Sequence, residues 1–226
     1  SVIIPTVSSV PPTATPDTVI LAIGGTKSFQ TIFGNGGLVS RNLGGTELDL
    51  TSVCIVDPST SICGATPVII NGEGTYTLDA ISGVVTFVAG NDARPGQQTP
   101  IVYKISDLSG HVVQSTLTPT IVSAPTTNPD TSTGARGAVQ VIPVITNDVP
   151  AAISAQLVPS SVRLCSATEV APNCTQVTIT VVGEGTYSVN STNGDITFTP
   201  VEDFVGTATP VVYSVADIVG QRRASS

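Results

Sequence analysis

The sequence predicts an all-β chain built from two tandem β-sandwich domains. Three observations carry that prediction: a long internal repeat, apolar residues that alternate with period two, and turn chemistry recurring about every ten residues. Gly72-Glu73-Gly74-Thr75-Tyr76 returns as Gly183-Glu184-Gly185-Thr186-Tyr187, 111 residues later, and Phe87 maps onto Phe198 at the same displacement. Thr99-Pro100-Ile101-Val102-Tyr103 answers Thr209-Pro210-Val211-Val212-Tyr213 one residue shorter, and Asp107 with Gly110 answers Asp217 with Gly220. Upstream, PTATPDT at 12–18 matches PTTNPDT at 125–131. A fixed long period marks an array of like modules, and chemistry that serves the module should occur in both copies.

The elements follow in order. Thr18–Ala22, Ser28–Phe33, Leu48–Val56 and Pro67–Ile70 read as strands by their β-branched content and bounding turn residues. Tyr76 and Leu78 then alternate with Thr75 and Thr77, and after Asp79-Ala80-Ile81-Ser82-Gly83 the chain returns with Val85 and Phe87 inward. This is a hairpin with one buried face. Ile101, Tyr103 and Ile105 share the inward face of the next strand, and His111–Val122 reads as the last. In repeat 2 the corresponding segments are 139–145, 161–164, 177–182, the hairpin of Tyr187, Ile196 and Phe198, and the strand of Val211, Tyr213 and Val215. No stretch of ten or more residues shows helical periodicity. About seven short strands in each repeat is the pattern of an immunoglobulin-like β-sandwich.

The frame of the repeats sets the expected domains: 11–123 for repeat 1 and 124–226 for repeat 2. Repeat 2 stops at Ser226, where the last strand of repeat 1 runs on through Leu117-Thr118-Pro119-Thr120-Ile121-Val122. Its own last strand is therefore expected to be incomplete, with an exposed sheet edge. Residues 1–10, with Val2-Ile3-Ile4-Pro5-Thr6-Val7, read as the remnant last strand of a preceding repeat. The joint Ala124-Pro125-Thr126-Thr127-Asn128-Pro129 favours extended backbone, so the domains are expected to lie end to end.

Charged residues make up 11 % of the chain and the formal net charge is −8. That field repels nucleic acid and anionic lipid, and no run of 18 apolar residues is present to span a membrane. Cys54 and Cys63 are nine apart, as are Cys165 and Cys174, one pair in each repeat. A disulfide closing a small loop in each domain fits that spacing, and such bonds persist outside the cytosol. Zinc would need closer pairs or several histidines, and His111 is the one histidine of the chain.

The ordered run Gly-Glu-Gly-Thr-Tyr, Gly-Val-Val-Thr-Phe, Thr-Pro-Ile-Val-Tyr and Ser-Asp-Leu-Ser-Gly resembles the CshA-type fibril repeat of bacterial surface adhesins. The resemblance covers Gly72–Leu117 and recurs from Gly183 onward, repeat 2 being the closer copy. Repeat 1 departs from the pattern at 88–96, where the aromatic and glycine seen as Phe204 and Gly206 are replaced. The resemblance implies β-sandwich beads on the bacterial surface. It also implies attachment to the cell wall through regions outside this chain, with neighbouring repeats of the array as partners. The cysteines are not something the resemblance demands.

Tyr76, Phe87, Tyr103, Tyr187, Phe198 and Tyr213 fall in repeat-equivalent pairs on aliphatic faces and are expected in the core rather than in a sugar-stacking cleft. Asp17 and Asp130 open the repeats, while Asp107 and Asp217 lie near their ends. Turn and cap roles are the preferred reading for these four carboxylates, with calcium between successive modules the alternative. Glu73 and Glu184, between glycines, read as solvated turn residues. No triad, carboxylate dyad or phosphate loop is evident, so neither catalysis nor a cofactor is expected. The resulting expectation is a structural stalk that projects an adhesive tip. The alternative is a module that binds a host protein or glycan through the divergent loops at 34–45 or 149–155.

Overall fold

The computed structural model describes residues 9–34, 36–42, 45–64 and 67–226. The expected remnant strand at Val2–Val7 lies outside the described residues. The chain divides into two compact units, Ser1–Val122 and Ser123–Ser226. Every regular element among the described residues is a strand, and no helix is long and apolar enough to cross a membrane.

Unit 1 contains β1 (Thr13–Ala14), β2 (Asp17–Ala22), β3 (Thr26–Ser28), β4 (Val39–Ser40), β5 (Leu48–Val56) and β6 (Val68–Ile70). It continues with β7 (Gly74–Asp79), β8 (Val84–Ala89), β9 (Gly96–Gln97), β10 (Ile101–Asp107) and β11 (Val112–Val122). One sheet has the order β2-β11-β10-β5, with β9 also on β11; the facing sheet has the order β3-β8-β7-β6. Alternation decides the burial. Along β10, Ile101, Tyr103, Ile105 and Asp107 are buried while the residues between them are half-exposed. Ile101, Tyr103 and Ile105 meet Tyr76, Val85 and Phe87 of the other sheet in one core with Ile55, Leu117 and Ile121.

Unit 2 contains β12 (Gln140–Ile142), β13 (Leu157–Leu164), β14 (Thr178–Val181) and β15 (Gly185–Val189), followed by β16 (Ile196–Pro200), β17 (Tyr213–Asp217) and β18 (Arg222–Ser225). Its sheets run β12-β16-β15-β14 and β13-β17-β18. Val162, Leu164, Tyr213 and Val215 pack against Tyr187, Ile196 and Phe198. Both units are immunoglobulin-like β-sandwiches, as the strand pattern predicts.

Two expected strands are shorter than their apolar content suggests. Phe29, Ile32 and Phe33 are buried, but they follow β3 as an irregular segment held by Phe29 N–H to Val85 O at 2.9 Å and Ile32 N–H to Gly83 O at 2.8 Å. Their spacing of three and one does not fit a pleat of period two. In 139–145, β12 stops at Ile142 because Pro143 has no N–H to continue the ladder.

Candidate functional site

The features that recur in both units are internal ties. Glu73 accepts the backbone N–H of Thr99 at 2.6 Å and its hydroxyl at 2.8 Å, while the Tyr76 hydroxyl donates to Thr99 O at 2.6 Å. In unit 2, Glu184 accepts the N–H and hydroxyl of Thr209 at 2.5 and 2.7 Å, and Tyr187 donates to Thr209 O at 3.0 Å. The hairpin turn before β7 or β15 is thereby pinned to the segment entering β10 or β17, which belongs to the opposite sheet. Glu73 and Glu184 are therefore crossties, not the freely solvated turn residues their glycine neighbours suggested.

The second glycine of each motif makes this approach possible. A Cβ at Gly74 would lie 2.3 Å from Val88 O and 2.6 Å from the Phe87 ring; one at Gly185 would lie 2.5 Å from Thr199 O and 2.7 Å from the Phe198 ring.

A second shared tie closes the turn after β10 and β17. Asp107 Oδ1 accepts the N–H of Ser109 and of His111, each at 2.9 Å; Asp217 Oδ1 accepts those of Val219 at 3.1 Å and Gln221 at 2.8 Å. His111 Nδ1 adds a 2.9 Å contact to Asp107 Oδ2. Burial opposes ionisation of Asp107, but these bonds from His111 win and hold its carboxyl down at about 2. A third tie bridges the bulge in β5 and β13. Ser106 N–H donates to Ser52 Oγ and Ala216 N–H to Ser161 Oγ, both at 2.8 Å.

The tyrosines of β10 and β17 reach the entry segment of their own repeat. Tyr103 donates to Thr15 O at 2.6 Å, and the Tyr213 hydroxyl lies 3.2 Å from Asn128 O. In unit 2 that hydroxyl also lies 3.0 and 3.1 Å from the two oxygens of Asp148. Burial raises the Asp148 and Asp130 carboxyls, and the nearby Asp130 charge raises Asp148 further.

Cys54 pairs with Cys63 and Cys165 with Cys174, with Cα atoms 5.6 and 4.3 Å apart. Tyr103 pairs with Ile55 and Tyr213 with Leu164, so the first cysteine stands one residue before the core position in unit 1 and one after it in unit 2. The shift of two keeps it on the outer face of its strand.

Of the four candidate calcium ligands, Asp107 and Asp217 are turn clamps, and Asp17 accepts the N–H of Thr18 and of Gln30, each at 2.8 Å. Asp17 registers with Leu117, itself opposite Ile101, whereas Asp107 ends the same strand six residues on. That separation is about 20 Å, so no single ion reaches both within unit 1. Asp130 is half-buried beside Tyr213. No group of three or more His, Cys, Asp or Glu is arranged to hold a metal among the described residues. In the divergent loop of unit 2, Ile153 is 91 % exposed.

Residues 122–225 match the family described as the surface adhesin CshA repetitive domain. Unit 2 is a CshA-type repeat. The match spans the whole of that unit, and unit 1 repeats its ties residue by residue. No curated protein matches the chain in sequence. Among solved structures, the N-terminal eight immunoglobulin domains of Down Syndrome Cell Adhesion Molecule isoform 1.30.30 align at 12 % identity over 96 % of this chain and 27 % of that one, with a TM-score of 0.42. Drosophila OTK extracellular domains 3–5 align at 13 % identity over 94 % and 58 %, with a TM-score of 0.33. The titin I-band fragment I67–I69 aligns at 10 % identity over 95 % and 64 %, with a TM-score of 0.29. The chain spans less than two thirds of each of these structures, and the superpositions are loose. The adhesin repeat family and the paired cysteines together mark an extracellular surface protein.

Proposed function

We propose that the chain is a pair of stalk repeats of a bacterial surface adhesin, which project an adhesive tip and carry tension rather than catalyse. The observation that supports this best is the parallel ladder between β2 and β11, in register from Leu117 with Asp17 to Val122 with Ala22. These strands lie near the two ends of unit 1. Pulling those ends apart slides one strand along the other, so the rungs share the load instead of opening one at a time. The Glu-Thr-Tyr crosstie joins the two sheets, and each disulfide withholds a short loop from extension. A wall anchor and the tip belong to regions outside this chain.

Single-molecule pulling tests the reading. Two unfolding events are expected, with unit 1 the stronger, and reduction should lengthen the released contour by about 3 nm per disulfide. Unfolding of both units at negligible force would remove the stalk reading. The alternative, a host protein or glycan bound by the divergent loops, has the exposed Ile153 in its favour. Tight binding of such a ligand by this chain, lost on Ile153→Ser, would replace the stalk.

A further inference from the structure

The segment in which repeat 1 departs from its family pattern, 88–96, forms one side of a polar cavity of about 470 Å³. That volume lies within the roughly 300–1,000 Å³ of ligand pockets. The other side is the turn between β6 and β7, at Asn71, Gly72 and Glu73. Backbone bonds fix the two sides to each other. Gly90 N–H donates to Glu73 O at 2.8 Å, Glu73 N–H to Ile70 O at 3.0 Å, and Ala93 N–H to Gly90 O at 3.3 Å. Gln98, only 6 % exposed, also lines the cavity. Its amide donates to Arg94 O at 3.0 Å and Gly96 O at 2.7 Å, which holds the loop in place. Its carbonyl oxygen has no donor among the described residues.

Unit 2 makes the same turn but uses it differently. Phe204 N–H donates to Val201 O at 3.1 Å, as Ala93 N–H does to Gly90 O, so Asp92 corresponds to Asp203 and Ala93 to Phe204. Phe204 turns its ring edge-on to Phe198, and Asp203 is in an ion pair with Arg136. In unit 1 these internal uses are gone. Among the described residues, the side chains of Asn71, Asp92, Arg94 and Gln97 have no hydrogen-bonding or ionic partner, although all four line one cavity.

We propose that this cavity binds a sugar unit of an uncharged glycan. Arg94 repels a metal cation, and Asp92 with Glu73 repels an anion, so the lining selects a ligand without net charge. The carboxamides of Asn71, Gln97 and Gln98 each present a donor and an acceptor, as a sugar hydroxyl does. Neighbouring hydroxyls of one ring can donate to the Asp92 carboxylate and accept from the Arg94 guanidinium, and such charge-assisted bonds are the stronger kind. No lining residue is aromatic, so binding rests on hydrogen bonds without ring stacking and is weak at one site. Both loops are tied by backbone bonds, so little ordering opposes it. The inference goes beyond the stalk reading: a repeat that bears load with this pocket empty is still a stalk. It is also separate from a ligand held at Ile153, which belongs to the other unit.

Titration of the full 226-residue chain with the methyl glycosides of glucose, galactose, mannose and N-acetylglucosamine, followed by amide NMR, tests this. Signals of Asn71, Asp92, Arg94 and Gln98 are expected to shift saturably with at least one glycoside. Asp92→Ala and Arg94→Ala, both at exposed positions, should each weaken that binding at least tenfold, while Ile153→Ser leaves it unchanged. Absence of saturable shifts with all four glycosides would overturn the proposal. So would binding that survives both alanine variants, or shifts at these residues produced by calcium chloride or glycine but by no glycoside.

Discussion

The carboxylate of Glu184 grips Thr209 by both its backbone N–H and its hydroxyl, at 2.5 and 2.7 Å, and Glu73 grips Thr99 at 2.6 and 2.8 Å. One carboxylate satisfies two donors at a point where the chain changes sheets, and the tyrosine two residues beyond the glutamate's glycine takes the remaining carbonyl. Charge-assisted bonds of this kind contribute roughly 1.5–3 kcal/mol each when buried and less when open to water. Both carboxylates are partly open. Glu184→Gln is expected to cost about 1 kcal/mol and Thr209→Val about 1–2 kcal/mol, with the double variant costing less than the sum because the two share one contact. Urea unfolding of the four chains measures this; strict additivity would mean that the tie contributes nothing.

Gly74→Ala and Gly185→Ala are expected to be more damaging than either tie variant. The added methyl would meet a backbone carbonyl and a buried aromatic ring, neither of which gives way easily. A loss of at least about 3 kcal/mol follows from overpacking of this kind. Thermal unfolding followed by circular dichroism checks it, with Gly72→Ala as a comparison, since no atom stands within 4 Å of a Cβ there and its cost is that of a positive φ of 75°.

Reduction of the disulfides should lower stability by about 2.7 kcal/mol in each unit on the chain-entropy estimate for a loop of roughly ten residues. Peptide mapping of the unreduced chain is expected to recover Cys54 linked to Cys63 and Cys165 linked to Cys174. Cross-pairing between the repeats would contradict the structure.

Acid acts with opposite sign on Asp148 and Asp130 of unit 2 and on Asp107 of unit 1. Glu169 of unit 2, held down at about 2 by hydrogen bonds from Thr175 and Ser166, behaves like Asp107. Asp148 and Asp130 of unit 2 have carboxyls raised by burial, so folding takes up protons there. Their contribution is fullest below the unfolded value near 3.8 and is lost as pH rises through the folded-state values. Asp107 of unit 1, held at about 2, contributes above that unfolded value and loses its contribution as pH falls through 2. Amide exchange read unit by unit should show unit 2 gaining relative to unit 1 on mild acidification, as long as the pH stays above the ordinary carboxylate range in which Asp107 and Glu169 begin to lose their contributions. Asp148→Asn, which keeps the acceptor for Asn128 N–H, should flatten most of that trend.

The repeat made much of this architecture legible. The buried parity of Tyr76, Phe87, Tyr187 and Phe198 is written in alternation with threonine, because a pleated strand turns successive side chains to opposite faces. The two-residue shift of the first cysteine could be reasoned from strand parity alone. What alternation could not show was Phe29, Ile32 and Phe33, whose buried segment hydrogen-bonds irregularly and so leaves no period. Nor did Glu73 and Glu184 announce their partners. Thr99 and Thr209 are 26 and 25 residues away, and local sequence carries no signal for a contact closed only when two sheets meet.

Sequence alone therefore determined that the chain is a repeated sandwich, which faces of its strands turn inward, and where its cysteines pair. Those properties depend on neighbours a few residues apart or on a motif seen twice. Only tertiary structure decided which carboxylates brace the sandwich and which distant strands, such as β2 and β11, pair in parallel. Each of these depends on segments distant along the chain coming into contact, a relation set by the packing of one sheet on another.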